Sequence, residues 1–557
     1  MTTTASKTRY LRTDWMLGRW GWLAQLAMVN ATFGLYGLLF CYYRGTETPW
    51  LTLGLHAVVV VILFILPGLL TALCIRRSFD DLVHLWLCTS MLSAASVLCV
   101  KLVLNAFQVS LSALTFSLAI LGYCNLCIVL QGIRYRWATR QEATRQASEE
   151  KDAARRTPTP WLPGLACSLV LVVLFVLLER TSIRIDPVPD IDRVTFGTYS
   201  LMTKSIPGAG YFEPSRTEVY ADYTPFLKYD FSHPPLAVFN CAYASTLCGY
   251  LDYSKALARQ MEADKHAPSM RYGDLRPDKG YLACNRAPTN YHIVVLCALV
   301  YLFALRLVGR PWLALGAMVL LVGLFWDRES YAIWFLSCYK ALFIAYSLGL
   351  LYVWLYMKER RWLSFFVGLC GALVSQKVVY VLPAVLVMEA FERRWRALLS
   401  PGILGFIVGT LAFIIYGMLI DSRVFVSMYF VLHFCDRLAG AEGMWARVGK
   451  QWLGFALGTG GLVIFPLLVW LTVAFARRHW RDREFVLLLY LISSAGLASR
   501  IWPYSQRFLV PTLFPMVLMS ARVLSEWFDR LARTRRPGRS AGREASWMSR
   551  VLRRGRS

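Results

Sequence analysis

The sequence predicts an all-α polytopic membrane protein, and three observations carry that class. The chain of 557 residues is 57% hydrophobic, with a mean hydropathy of +0.46. Only 17% of its residues are charged, against about 25% in soluble domains. Its apolar residues gather in runs that approach or exceed the roughly 20 residues a helix needs to cross a bilayer.

By that ruler about 14 segments are candidate spans. Four come first, at Gly21 to Tyr43, Leu51 to Ile75, Val83 to Phe107 and Ser110 to Ile133. A fifth, Trp161 to Leu178, leads into a polar stretch. Tyr291 to Val308, Pro311 to Trp326 and Tyr331 to Met357 follow it. Trp362 to Phe391 is read as a pair, because its length suits two short crossings or one long tilted one. Leu398 to Ile420, Trp452 to Phe475, Glu484 to Ala498 and Phe508 to Trp527 complete the series.

The net charge of +26 would suit nucleic acid if it were scattered, but its placement points to topology instead. The basic residues concentrate at Arg76-Arg77, Arg134 to Arg156, Arg306 to Arg310, Lys358 to Arg361, Arg393 to Arg396, Arg477 to Arg483 and the tail from Arg530. With a cytoplasmic N-terminus all of these fall on one side, as the positive-inside rule requires. The expected partners of this charge are membrane lipids, with no nucleic acid. The tail also carries Trp547, Met548, Val551 and Leu552 at a spacing that suits a short amphipathic turn on the inner leaflet. The polar first ten residues and the long first apolar run predict no cleavable signal. Both termini are expected in the cytoplasm of a multi-pass cell-membrane protein, in a bacterial inner membrane or, for a eukaryotic chain, the endoplasmic reticulum.

These marks divide the chain into an N-terminal four-helix membrane extension (1–133), a basic cytoplasmic linker (134–160), a membrane core (161–528) and a basic cytoplasmic tail (529–557). Within the core, 183–290 forms a large mixed extracytoplasmic loop. In it, Leu236 to Leu251 follows two prolines and reads as a helix lying along the membrane surface, and Asp252 to Asn290 reads as charged, Gly/Pro-punctuated and exposed. Asp421 to Gln451 is a second outside segment. Of the 14 Cys, most sit in spans as small apolar side chains. Cys241, Cys248 and Cys284 share the large loop, where an oxidising compartment would permit a disulfide whose pairing the spacing leaves open. Cys/His zinc spacing, a phosphate-binding glycine loop, a dinucleotide-binding glycine pattern and internal repeats are all missing from the sequence.

The most informative stretch begins where the fifth span ends. Pro189-Asp190-Ile191-Asp192-Arg193-Val194-Thr195-Phe196-Gly197 sets two acids at the mouth of a membrane helix, and His233-Pro234-Pro235-Leu236 follows in the same loop. Asp192 through Gly197 resembles the Asp-Glu-Val-His-Phe-Gly type of motif of protein O-mannosyltransferases and related bacterial enzymes, with Arg193 in place of the second acid. His233 to Leu236 repeats their His-Pro-Pro-Leu motif. Gly368 to Pro383 is similar to their Gly-rich helix ending in a Ser-Lys pair, with Gln376 inserted before Lys377. Gln506-Arg507-Phe508-Leu509-Val510-Pro511 looks like the start of their last helix. The four motifs stand in family order between Trp161 and Trp527, and the family is the GT-C superfamily of glycosyltransferases that use polyprenyl-phosphate sugars. The resemblance implies a GT-C-like helix bundle, a lipid-linked sugar donor and transfer to a lipid, glycan or protein hydroxyl. The four extra N-terminal spans precede the family core.

The chemistry of such a site explains the residue types. A sugar on a polyprenyl phosphate already has a good leaving group, so the protein must supply a base for the acceptor hydroxyl and cations for the phosphate. Asp192 suits the base. Asp190, two residues away, would face the same side of an extended segment and allow chelation of a divalent metal, or it caps the following run. No cofactor is assigned beyond that metal alternative. Arg507 at the mouth of the last span and Lys377 within the short pair are the phosphate candidates, since a cation at membrane depth is costly; snorkelling to the interface is the alternative for both. Lys340 would sit deeper, on the pyrophosphate-like end or on a neighbouring helix. His233 either contacts substrate or belongs to a turn stiffened by two prolines. Lys101 lies outside the family core and reads as structural. A ligase moving a whole lipid-linked glycan would need more acidic ligands and a larger outside domain. A transporter would show related halves and broken helices at the midplane.

Overall fold

The computed structural model describes residues 11–12, 19–43, 48–75, 78–79, 82–107, 109, 112–142, 162–184, 243–250, 252–253, 279–326, 340–392, 400–426, 444–458, 461–501 and 506–534. Among them the chain is overwhelmingly helical, the exception being β1 (Leu11–Arg12) paired antiparallel with β2 (Ser78–Phe79). The N-terminal unit comprises α1 (Arg19–Tyr42), α2 (Pro49–Phe64), α3 (Leu66–Ile75), α4 (Leu82–Ala106) and α5 (Ala113–Glu142). Helices α2 and α3 make one span, Pro49–Ile75, stepped at Ile65. Pro67 explains the step, because it has no N–H to return to the preceding turn.

The second unit holds α6 (Leu162–Arg184), α7 (Lys279–Val308), α8 (Pro311–Trp326), α9 (Lys340–Met357), α10 (Arg361–Val374), α11 (Val381–Phe391), α12 (Pro401–Phe425), α13 (Met444–Gly458), α14 (Gly461–His479), α15 (Val486–Ile501) and α16 (Leu513–Thr534). Three 3-10 turns interrupt it, at Gln376–Tyr380, Arg483–Phe485 and Gln506–Thr512. Eight helices among the described residues are long and apolar enough to cross a membrane, or nine if the bent pair α13–α14 is one span. Each predicted apolar run does contain a helix, but α8, α9, α10, α11 and α15 are shorter than a full crossing. Exposed leucine, valine and isoleucine line α6 (Leu169, Val172, Val173) and α12 (Leu411, Ile415, Leu419). Such stripes would be a liability in water and are the lipid-facing surface of a helix that satisfies its own backbone.

Two apolar cores result, and α7 belongs to both. Cys284, Ala287 and Tyr291 join α1 to α5, whereas Ile293 onward joins α6 and the helices after α7. Tyr291 anchors the junction: its hydroxyl meets Ser90 at 2.5 Å and accepts from Trp86 Nε1 at 2.9 Å, and its ring stacks on Phe64.

Three expectations are corrected here. Helix α7 starts at Lys279, and Gly280 to Asn290 are buried, so that part of the supposed exposed loop is helix interior. Its 30 residues reach about 45 Å, more than the roughly 30 Å hydrocarbon layer, so the helix extends to or beyond the interface. The segment predicted to lie along the surface is instead buried over 243–248. Tyr243, Ala244, Leu247 and Cys248 pack into the N-terminal core, and Tyr36 of α1 donates a 2.7 Å hydrogen bond to the Leu247 carbonyl. Small residues at Ala244 and Ser245 allow that close entry. Finally, Trp452 to Phe475 is not one straight span, since α13 and α14 meet at 106°.

One end of the second unit is tied by ion pairs. Arg483 reaches Glu359 at 2.6 Å and Glu392 at 3.3 Å, Arg522 reaches Glu484 at 3.1 Å, Arg478 reaches Glu526 at 3.4 Å, and Arg310 pairs with Asp529. Burial raises the Glu484 pKa, against the opposing pull of Arg522 and His479. The segments that contribute are those the charge rule assigns to a common side. The exposed pair of Arg310 and Asp529 is worth only about 0–1 kcal/mol, whereas Arg478 with Glu526, Arg483 with Glu392 and Arg522 with Glu484 are half-buried.

The belt also resolves the short pair. Glu359 precedes α10 and Glu392 follows α11, and both bind Arg483. The two helices therefore leave and return to the same end as a hairpin with Gln376–Tyr380 at its apex. Helix α10 lies against α12 in parallel. Gly405 faces Phe365 and Gly409 faces Leu369, and an added methyl at Gly405 would fall on the Phe365 carbonyl. Without a hydrophobic force between helices in lipid, such glycine contacts are what hold them together.

Candidate functional site

Asp190, Asp192 and His233 lie outside the described residues. Lys340, Lys377 and Arg507 are described only in backbone. Lys340 opens the described part of α9, at the end away from Glu359. Lys377 is in the apex turn of the α10–α11 hairpin, and Arg507 is in the turn that opens α16. Both turns pack on α15, where Ser493 donates to the Tyr380 carbonyl. Helix α13 also meets the Arg507 turn and is held by Trp452 Nε1 donating to Ser499 Oγ at 2.8 Å. The fold thus brings the backbones of all three cations to the end of the bundle opposite the ion-pair belt.

A second constellation lies at that same end, between the two units. His56 of α2 and Glu179 of α6 are wholly buried, and Nδ1 of the imidazole is 2.6 Å from the Glu179 carboxylate. Asn290 of α7 donates from Nδ2 to Glu179 Oε2 and to Ser182 Oγ, each at 2.8 Å. Arg286, one turn away, donates to the Ser182 carbonyl at 3.2 Å. A ring nitrogen of His56 and the sulfurs of Cys248 and Cys284 all lie within 4.8 Å of one another. Ser245 donates to Asn285 at 2.6 Å beside them.

No family model, curated protein or solved structure matches this chain. What the site can do therefore rests on its own chemistry. A carboxylate, an imidazole, two thiols and a guanidinium buried together near a membrane interface form a polar network that can orient a ligand or hold an ion. Such groups in lipid are expensive unless paired.

Sequence reasoning passes over most of this network. The predicted fifth span stops at Leu178, one residue short of Glu179, and Arg286 and Asn290 fall in a segment read as exposed. Cys248 and Cys284 are legible only as possible disulfide partners, and His56, alone in an apolar span, carries a further signal, because an intramembrane ionisable side chain implies a partner. Its partner lies 123 residues on, beyond any local pattern.

Proposed function

We propose that this chain is a membrane glycosyltransferase of the GT-C type, with a bundle of about 14 crossings counting the short helices. It would move a sugar from a polyprenyl-phosphate donor to a hydroxyl of a lipid, glycan or protein acceptor on the extracytoplasmic side. Asp192 takes the acceptor proton, and the resulting alkoxide attacks the anomeric carbon as the polyprenyl phosphate departs. Lys377 and Arg507 hold the leaving phosphate, with Lys340 as a further cation. His233 contacts substrate, and Asp190 assists the base or a divalent metal.

The observation that carries this reading is the convergence of the Lys377 and Arg507 turns on α15, away from the ion-pair belt. Two motifs far apart in sequence, each bearing a cation, pack on one helix, which supports a shared role on the isoprenoid phosphate of a membrane-held donor. Helix α13, with Trp445 exposed, flanks that end and suits a lipid interface.

The test is transfer by the purified full-length chain in detergent or nanodiscs, supplied in parallel with synthetic polyprenyl-phosphate sugars and with nucleotide sugars. Transfer from the polyprenyl-phosphate sugar is expected. Transfer only from the nucleotide sugar would remove the reading.

A further inference from the structure

The geometry points to a zinc-binding site built by His56, Cys248 and Cys284, which clips the N-terminal helix unit to the second unit through the 243–250 segment. The three donors come from three separate pieces of chain, α2, the 243–250 segment and α7, and all are buried. Their ligand atoms lie within 4.8 Å of one another. Atoms sharing one tetrahedral zinc stand about 3.5–3.8 Å apart, from bond lengths near 2.3 Å to sulfur and 2.0–2.1 Å to nitrogen. Small side-chain rotations close that difference.

The imidazole is set up to bind. A metal-ligating histidine usually gives its other ring N–H to a carboxylate, which is itself hydrogen-bonded. Here Glu179 takes Nδ1 at 2.6 Å and is held in turn by Asn290. That leaves Nε2 as the coordinating nitrogen, and the Cys248 thiol lies beside the buried imidazole.

Charge and softness select the metal. Two thiolates neutralise one Zn²⁺, and the buried Arg286 close by can offset Glu179, so the loaded site is neutral in a low-dielectric setting. Binding forms two Zn–S bonds and one Zn–N bond and releases the two thiol protons without redox change. Cys284 now donates to the Ala244 carbonyl at 3.2 Å, and deprotonation would end that contact. Three protein donors leave a fourth position to a small ligand. The site stands whether or not the chain transfers sugars.

The test uses full-length protein purified without chelator, loaded with Zn²⁺, desalted and assayed by elemental mass spectrometry. About one zinc per chain is expected. Cys248→Ser and Cys284→Ser should lose it, and Cys297→Ser, about 20 Å further along α7, should keep it. Glu179→Gln, a positioning variant, should weaken zinc binding about 10–100-fold while keeping the stoichiometry at saturation. If the cysteine variants fail to fold, Co²⁺ loading of the wild-type chain should give thiolate-to-cobalt charge-transfer absorption. X-ray absorption of the zinc form should then show two sulfurs at about 2.3 Å. Three results would overturn the site: no retained metal in the wild-type chain, zinc at the wild-type level in both cysteine variants, or a Cys248–Cys284 disulfide in metal-free native protein.

Discussion

His56 and Glu179 meet at 2.6 Å with both side chains wholly buried, although 123 residues separate them. They join the N-terminal helix unit to the unit that carries the sequence motifs. Breaking a buried pair by removing one partner costs about 3–5 kcal/mol, because the other is left uncompensated. Glu179→Ala should therefore sharply lower the thermal midpoint of the folded protein in detergent, followed by size-exclusion recovery after heating. Glu179→Gln keeps an acceptor oxygen and should lose much less. Equal losses for the two would mean that shape, not the polar contact, matters here.

The second prediction concerns helix approach. A methyl at Gly405 would fall on the Phe365 carbonyl, and one at Gly68 on the Thr89 carbonyl. Gly405→Ala and Gly68→Ala should each destabilise by about 1–3 kcal/mol, the usual range for overpacking. Gly316→Ala is the control, since nothing lies within 4 Å of its added carbon, and removing a helical glycine should stabilise slightly. A neutral outcome at Gly405 in the same heating assay would show that α10 and α12 can separate freely.

The third concerns the side on which the belt lies. Single cysteines placed at Lys358 and at Arg481, after native reactive thiols have been blocked, should react with a membrane-impermeant maleimide only in permeabilised cells. A tag inserted near Lys265 should be reached from outside in intact cells. The reverse pattern would turn the whole bundle over and move the proposed site to the cytoplasm.

The fourth concerns the chemistry. Asp192→Asn keeps the side-chain shape but removes the proton acceptor, so turnover with a polyprenyl-phosphate sugar should fall about 10²–10⁴-fold with donor binding retained. Asp190→Asn separates the two acids: a comparable loss, with wild-type activity abolished by chelators, would indicate a metal pair. Arg507→Ala and Lys377→Ala should each weaken donor use by about 1.5–3 kcal/mol, the worth of one charge-assisted hydrogen bond. Donor use indifferent to both would detach the two turns from the phosphate.

The sequence by itself determined the helical membrane class and the position of most helices, and it predicted a common side for the basic loops. Apolar length and local charge are properties of contiguous residues, and the lipid solvent enforces them strictly. It also marked Gly368 within a Gly-rich helix, though the reason, a close parallel contact with α12, needed the partner helix. Only the tertiary structure decided that Trp362 to Phe391 is a hairpin, because that depends on Glu359 and Glu392 finding the same Arg483. It alone showed that α7 extends back to Lys279, that residues 243–248 are buried, and that His56, Glu179, Asn290, Cys248 and Cys284 form one cluster. Polar residues such as Arg286 and Asn290 read as exposed in isolation. They are buried here because partners from distant helices satisfy them, and pairing between distant segments leaves no periodicity in a single sequence.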